Sequence, residues 1–307
     1  MKIVLLDAIT FGDTKLDCFD TFGDVSVYQK TTAEETNERI VNAAVVVTNK
    51  VVITKEHMQN AKDLKLICVA ATGTNNVDLG AAKELGIEVK NVAGYSTDSV
   101  VQHTFSMLFY LVGHSRYYDE VVKSGAYSRS GVFTDVSHPF FEIKGKKWGI
   151  IGLGEIGRGV ANVAKAFGAE VCYYSTSGVN RNEEFQRTTL DKMLQECDII
   201  TIHAPLNEKT TNLLDYDKLS TCKEGAVVLN LGRGGIIDED AVAKLVDEKN
   251  ISFGLDVFTK EPLDENSPLL HVQNKERLYL TPHIAWTSIE AREKLIHSVC
   301  ENIKSSF

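Results

Sequence analysis

Gly152-Leu153-Gly154-Glu155-Ile156-Gly157 closes the apolar stretch WGIIG (148–152), opens the helical pattern GRGVANVAKAF, and precedes a second apolar stretch at 170–174. Strand, glycine turn, helix and second strand form the context in which G-x-G-x-x-G carries structural meaning. The glycines let the backbone bend tightly and come close to a pyrophosphate. The free N–H groups at the helix start then meet its charge. Gly152, Gly154, Glu155, Ile156 and Gly157 are therefore candidate contacts to a dinucleotide.

The rest of the chain repeats this alternation. Continuous β-branched runs at 2–6, 25–28, 44–48, 66–70 and 87–90 predict strands covered on both faces, with helical patterns between them, for example at 33–42 and 79–85. A long helical pattern runs from Asp98 to Gly125, with Ser96 or Thr97 as a cap, and 127–145 has no period and reads as a connector. A second set of strands is predicted at 148–152, 170–174, 198–203, 226–230, 251–256 and 277–280, followed by a helix over 286–305. The expected fold is α/β: two doubly wound parallel-sheet domains, Rossmann-like and flavodoxin-like.

The 307 residues suffice for two cores, and the net charge of −9 leaves no basic surplus to neutralise phosphates, which argues against nucleic-acid or anionic-membrane partners. Six cysteines lie far apart without a C-x-x-C pair, so no metal site is expected and reduced core thiols are the favoured role. The N-terminus MKIVLLDAIT lacks a signal-peptide pattern, and no run of about 20 apolar residues occurs, so a cytoplasmic protein is expected.

An NAD site usually carries Asp or Glu at the end of its second strand, for the ribose 2′-hydroxyl. Here the chain reads Tyr174-Ser175-Thr176-Ser177, with Arg181 beyond. Three hydroxyls do not repel a 2′-phosphate, and an Arg can pair with it. The expected cofactor is NAD(P), with NADP slightly favoured. Ser175 binding the ribose hydroxyls of NAD is the competing reading.

Seven segments carry a further likeness. ATGTNNVDL (71–79), NVAGYSTDSVVQHTF (91–105), GIIGLGEIGR (149–158), HAPLNEKT (203–210), LNLGRGGIIDEDAV (229–242), GLDVFTKEPL (254–263) and LTPHIAW (280–286) together resemble the D-isomer-specific 2-hydroxyacid dehydrogenases. The first two are most similar to the glycerate dehydrogenase/hydroxypyruvate reductase branch. The resemblance implies Arg233, Glu261 and His283 as catalytic residues. The chemistry of a 2-keto acid agrees. A guanidinium can pair with the carboxylate and polarise the adjacent carbonyl oxygen. The alkoxide left by hydride delivery needs a proton near neutrality, which suits His283. Glu261 would orient that ring and stabilise its protonated form.

The resemblance also implies that Thr72 and Gly73 hold the substrate carboxylate through backbone N–H groups, opposite Arg233. It implies that Thr104, His203, Ala204, Pro205, Thr210, Leu231, Gly232 and Ala285 lie along the cofactor, and that Asp256 holds the nicotinamide carboxamide. His103 is expected to be structural or to support the residues that touch the ligands. The implied architecture is a substrate domain of 1–98 plus 284–307, a cofactor domain of 99–283 inserted into it, a cleft that closes over the substrate, and a homodimer. The substrate is expected to be a small 2-keto acid such as hydroxypyruvate or glyoxylate. ATGTNNVDL has no Lys or Arg for a phosphorylated acid. Lactate or phenyllactate stays open, as does a non-catalytic NAD(H)-sensing protein like the corepressors that resemble this family. Tyr127, Phe133, Phe140 and Phe141 either line the substrate pocket or pack the connector.

Overall fold

A computed structural model describes residues 1–179 and 184–307. The chain divides into two compact units, Met1–Ser96 with Thr287–Phe307 and Thr97–Trp286.

The first unit holds β1 (Lys2–Leu5), β2 (Asp24–Val27), β3 (Val45–Thr48), β4 (Leu66–Val69) and β5 (Glu88–Asn91). All pairings are parallel, in the order β2-β1-β3-β4-β5, the flavodoxin-like sequence of strands. β3 and β4 are buried at every position, while the edge strands β2 and β5 are partly exposed. That contrast explains why the central strands read as unbroken apolar runs. The helix Leu79–Leu85 ends at Gly86, whose φ of 70° supplies the left-handed cap expected there. The last helix, Ile289–Ser306, is capped by the Ser288 side chain and buries Leu295, Ile296, Val299 and Ile303.

The second unit holds β6 (Lys147–Ile151), β7 (Glu170–Tyr174), β8 (Gln186–Arg187), β9 (Ile199–Ile202), β10 (Val227–Asn230), β11 (Ser252–Leu255) and β12 (Leu278–Leu280). These strands are also parallel, in the order β12-β11-β10-β9-β6-β7-β8. The order reverses between β9 and β6, so connections leave those two strands in opposite directions and a crevice opens at their C-terminal ends. Alternate residues feed two cores. Ile151, Ile200, Val228 and Phe253 pack on one face of the sheet, and Trp148, Ile150, Ile199, Val227 and Leu229 on the other. Trp148 is fully buried, and its indole N–H donates to Thr201 Oγ1 at 3.2 Å.

Two expectations need correction, and one pair of alternatives is narrowed. The helical pattern from Asp98 to Gly125 forms two helices, Thr97–Val112 and Ser115–Lys123, because Gly113 and His114 interrupt it. His114 takes a left-handed φ of 45°, and any Cβ at Gly113 would lie 2.9 Å from the Phe109 carbonyl oxygen. The thiol reading fails for Cys18 and Cys300, which are disulfide-bonded across 282 residues, a pairing that local context cannot reveal. In the connector, Phe133 is 90% and Phe140 66% exposed, so neither packs it. Arg181 lies outside the described residues.

Phe253 is fully buried in β11. Phe253→Ala should destabilise the second unit by about 3–5 kcal/mol through the cavity it leaves. The denaturation midpoint followed by Trp148 fluorescence measures this.

Candidate active site

The glycine turn leaves β6 with Gly152 at φ 92°, which an L side chain avoids. A Cβ there would also sit 3.0 Å from the backbone of Ala204, which follows β9. One at Gly157 would strike the Gly152 carbonyl. The helix Glu155–Ala166 starts from Gly154 without a side-chain cap, so its first amides are left for another acceptor. Gly152, Gly154, Ser175, Thr176, Ser177, His203 and Pro205 line one cavity of about 760 Å³ at these strand ends. Leu153, Asn207, Glu208 and Lys209 complete its wall. The last three carry no sequence signal beyond their place in the HAPLNEKT segment.

His203 is the unusual member. The residue is half-buried, yet both ring nitrogens are buried and, among the described residues, have no hydrogen-bond partner. Burial pulls its pKa from 6.5 down to about 3, so the ring is neutral at ordinary pH. Orphaned polar atoms beside a glycine cradle fit a dinucleotide, which would bring hydrogen-bonding groups to both.

Other expected contacts sit behind the wall. Thr104 is fully buried and donates to the Val100 carbonyl within its own helix, at 2.7 Å. Thr210 donates to the Pro205 carbonyl at 2.7 Å and accepts from Asn207 N–H at 2.8 Å, bracing the pocket turn. Leu231 and Ala204 are core residues, and Gly232 lets its strand end approach Ala204.

A second cluster forms where β10, β11 and β12 end. Asp256, 1% exposed, follows β11. Its Oδ1 accepts from Thr281 Oγ1 at 2.6 Å and from Ile284 N–H at 2.9 Å, and its Oδ2 accepts from Ala285 N–H at 2.9 Å. These bonds clamp the turn that carries His283, whose backbone is left-handed at φ 54°. Since the Thr281 hydroxyl spends its proton on Asp256, it accepts from His103 Nε2–H at 3.2 Å. His103 is thus structural. Burial lowers its pKa, and Asp256 partly offsets the effect.

His283 Nδ1 lies 2.7 Å from Glu261 Oε2. The other Glu261 oxygen accepts from Phe258 N–H at 3.1 Å, which fixes the carboxylate plane. The Glu261 bond leaves Nδ1 as the protonated donor. Among the described residues Nε2 has no partner. Arg233 rides the turn after β10, where Asn230 Nδ2 donates to its carbonyl at 2.9 Å and Asn230 Oδ1 accepts from Gly232 N–H at 3.1 Å. Asn230 is 2% exposed, and the sequence pattern does not single it out. Its guanidinium neighbour donates to the Gly232 carbonyl at 2.8 Å, and among the described residues no carboxylate pairs with it. The next residue, Gly234, lies against Phe258 and Thr259, where a Cβ would collide with the Phe258 carbonyl. The Arg233 turn and the loop leading to Glu261 are therefore stitched together.

In the first unit the loop after β4 presents Thr72 and Gly73. Asn91 Nδ2 donates to the Thr72 carbonyl at 2.6 Å, and Thr72 Oγ1 donates to Val92 O at 3.1 Å. Among the described residues the Thr72 and Gly73 N–H groups have no acceptor.

Residues 105–285 match the family model for the D-isomer specific 2-hydroxyacid dehydrogenase, NAD binding domain. The chain belongs to that family. A hydroxypyruvate reductase from Blautia hydrogenotrophica is 33% identical over 99% of this chain and 96% of its own length. A glycerate dehydrogenase from Methylorubrum extorquens is 32% identical over 99% and 95%. An acyclic imino acid reductase in complex with NADPH and D-Arg superposes with a TM-score of 0.87 at 30% identity, covering 99% of this chain and 96% of that one. A D-lactate dehydrogenase from Aquifex aeolicus with NAD and lactic acid gives 0.86 at 25% identity, over 99% and 95%. This dehydrogenase is thus an NAD(P)-dependent enzyme that reduces 2-keto acids to D-2-hydroxy acids.

A histidine held neutral by burial takes up a proton on unfolding, so between its unfolded and folded pKa the unfolded chain binds more protons. Stability of the second unit should fall as pH drops below 6.5 toward the His203 value of about 3. Chemical denaturation at pH 7 and pH 5, above most carboxylate titration, should show a smaller decline for His203→Asn than for the native chain.

Proposed function

We propose that the enzyme reduces a small 2-keto acid of the hydroxypyruvate or glyoxylate type, with His283 as proton donor, Glu261 as its partner and Arg233 as the carboxylate anchor. The observation that carries this reading is the 2.7 Å Glu261–His283 contact with Nε2 left unpartnered, on a loop stitched to an Arg that has no carboxylate partner among the described residues. When bound, NAD(P)H supplies the hydride. The protein's own share is proton handling and orientation. His283 gives its Nε2 proton to the carbonyl oxygen, and Glu261 stabilises the doubly protonated ring that precedes the transfer. Arg233 offers a planar fork to the carboxylate and the carbonyl oxygen. The names of the hydroxypyruvate reductase and glycerate dehydrogenase relatives support this substrate class. Asp256 acts here by clamping the His283 turn, with its oxygens already engaged.

NADP is favoured over NAD. Ser175, Thr176 and Ser177 put hydroxyls where a carboxylate would repel a 2′-phosphate, and Lys209 adds a cation to the same wall. The enzyme is proposed to act in the cytoplasm. No helix of the described residues is long and apolar enough to cross a membrane. A homodimer is supported by the apolar connector, whose Val132, Phe133, Val136 and Phe140 are 59–90% exposed.

His283→Ala should lower turnover about 10²–10⁴-fold with cofactor binding retained. Arg233→Lys should raise KM for the keto acid about 10–100-fold, because a point charge replaces a bidentate fork. Both are read by following NADPH and NADH oxidation with glyoxylate, hydroxypyruvate, pyruvate and phenylpyruvate. No oxidation with any of the four refutes the substrate class, and a lower KM for NADH than for NADPH reverses the cofactor assignment.

A further inference from the structure

Two cysteines outside the reaction machinery face each other at a built cavity. Cys172, in the middle of β7, and Cys197, which ends the helix Leu190–Glu196, lie with their sulfurs 3.7 Å apart. They meet over Gly149 of β6, which pairs with Cys172 in the sheet. A Cβ at Gly149 would come within 3.1 Å of the Cys197 sulfur and 2.8 Å of the Met193 sulfur. The missing side chain is what gives the two thiols a common space. Both line a cavity of about 220 Å³, whose wall carries Lys147, Lys192, Glu170 and Glu196, with Glu196 paired to both lysines. That volume admits hydrogen peroxide or a small organic hydroperoxide.

The pair is asymmetric. Cys172 is partly exposed and Cys197 is 1% exposed. The Cys197 hydrogen bond lowers the Cys172 pKa against the opposing effect of burial, with smaller help from Lys147 and Lys192 and a smaller opposition from Glu196, while Cys197 is pushed up by that same bond and by burial. Cys68 and Cys222 differ, since burial raises each to about 12. A thiolate is the nucleophile, so the molecule offers one reactive sulfur with a second beside it.

We propose that Cys172 and Cys197 form a reversible dithiol–disulfide site that reacts with hydroperoxides and reports on the nucleotide pocket. The Cys172 thiolate attacks a peroxide oxygen; the S–O bond forms, the O–O bond breaks, and the leaving oxygen departs as water or alcohol after taking a proton. Sulfur is oxidised to sulfenic acid and the peroxide is reduced. The Cys197 thiol then attacks that sulfur, the S–S bond forms, and the hydroxyl leaves as water with the Cys197 proton. Closing 3.7 Å to bonding distance moves the sulfurs together by roughly 1.7 Å. β7 must take part of that shift. Two residues past Cys172, the Tyr174 carbonyl accepts from Gly152 N–H at 3.0 Å, and Ser175 enters the pocket wall. Disulfide formation should therefore disturb the glycine turn. This second half rests on the nucleotide reading of the cavity.

The test uses the full chain, reduced with dithiothreitol, desalted and treated with hydrogen peroxide or tert-butyl hydroperoxide. Non-reducing digestion with mass spectrometry should yield a Cys172–Cys197 linked peptide that dithiothreitol removes. Cys197→Ser should accumulate dimedone-trapped sulfenic acid on Cys172, and Cys172→Ser should abolish both products. Absence of the linked peptide from the native chain, or dimedone labelling of Cys68 or Cys222 instead of Cys172, overturns the site. Titration with NADPH should show Kd raised about fivefold or more in the oxidised native chain and unchanged in treated Cys172→Ser. An unchanged Kd in the oxidised native chain overturns the coupling. If NADPH binds neither form, the pocket reading fails while the linked peptide still decides the dithiol.

Discussion

The candidate chemistry depends on a buried carboxylate. Asp256 is 1% exposed, and an ion so placed is stable only when donors replace its water. Thr281 Oγ1, Ile284 N–H and Ala285 N–H supply them, and all come from the turn around one residue, His283. A left-handed backbone at a non-glycine residue costs on the order of 1 kcal/mol and persists only where its surroundings over-determine it. Here the two amides that follow His283 are tied to the carboxylate, so the strained φ of 54° is enforced from outside the residue. What His283 gains is direction. Its Nδ1 meets Glu261 while Nε2 stays unpartnered among the described residues.

The same logic of close approach organises the rest of the strand ends. Parallel strands deliver their C-terminal turns to one edge of the sheet, and those turns carry the polar groups. Packing turns from neighbouring strands side by side requires positions without side chains. Gly152 accepts the backbone of Ala204, and Gly234 accepts that of Phe258. The first contact shapes the nucleotide cavity. The second fastens the Arg233 turn to the loop whose Phe258 N–H orients Glu261. At Gly234 glycine is a matter of distance, and at Gly152 a positive φ adds to it, so even Ala would disturb both turns.

Much of this was legible in the sequence, and the limits have physical causes. The central strands announced themselves because burial on both faces forces continuous β-branched runs, as at Val45–Thr48 and Ile199–Ile202. β8 was missed because a two-residue exposed edge strand bears no such constraint. The break at Gly113–His114 was hidden because apolar residues recur with helical spacing on both sides of it. At the site, Arg233, Glu261 and His283 stood out through their motifs, and the geometry joins Glu261 to His283 directly. Asn230 did not stand out, because a buried Asn at a strand end looks like many others until its bonds to Gly232 and Arg233 are seen. Thr104 and Thr210 were placed near the cofactor by their motifs, but their hydroxyls are spent on the Val100 and Pro205 carbonyls. Motif membership located the neighbourhood without separating pocket wall from its scaffold. The Cys18–Cys300 bond lay beyond reach for a simpler reason, a separation of 282 residues.

An acidic chain can still bind an anion, and the structure indicates how. The net charge of −9 is spread over the whole surface, and salt screens separated exposed charges within about 8 Å. What an incoming carboxylate meets is local. Arg233 has no carboxylate partner among the described residues, so its charge is not cancelled in advance. The helix at Glu155 starts without a side-chain cap. Each is a donor held in place by bonds made elsewhere: Asn230 on the Arg233 turn, the glycine turn on the helix start. Their orientation is fixed before the ligand arrives, so little ordering entropy is lost on binding. Donors fixed in advance suit a small anionic ligand, and the sign of the total charge affects mainly the rate of encounter.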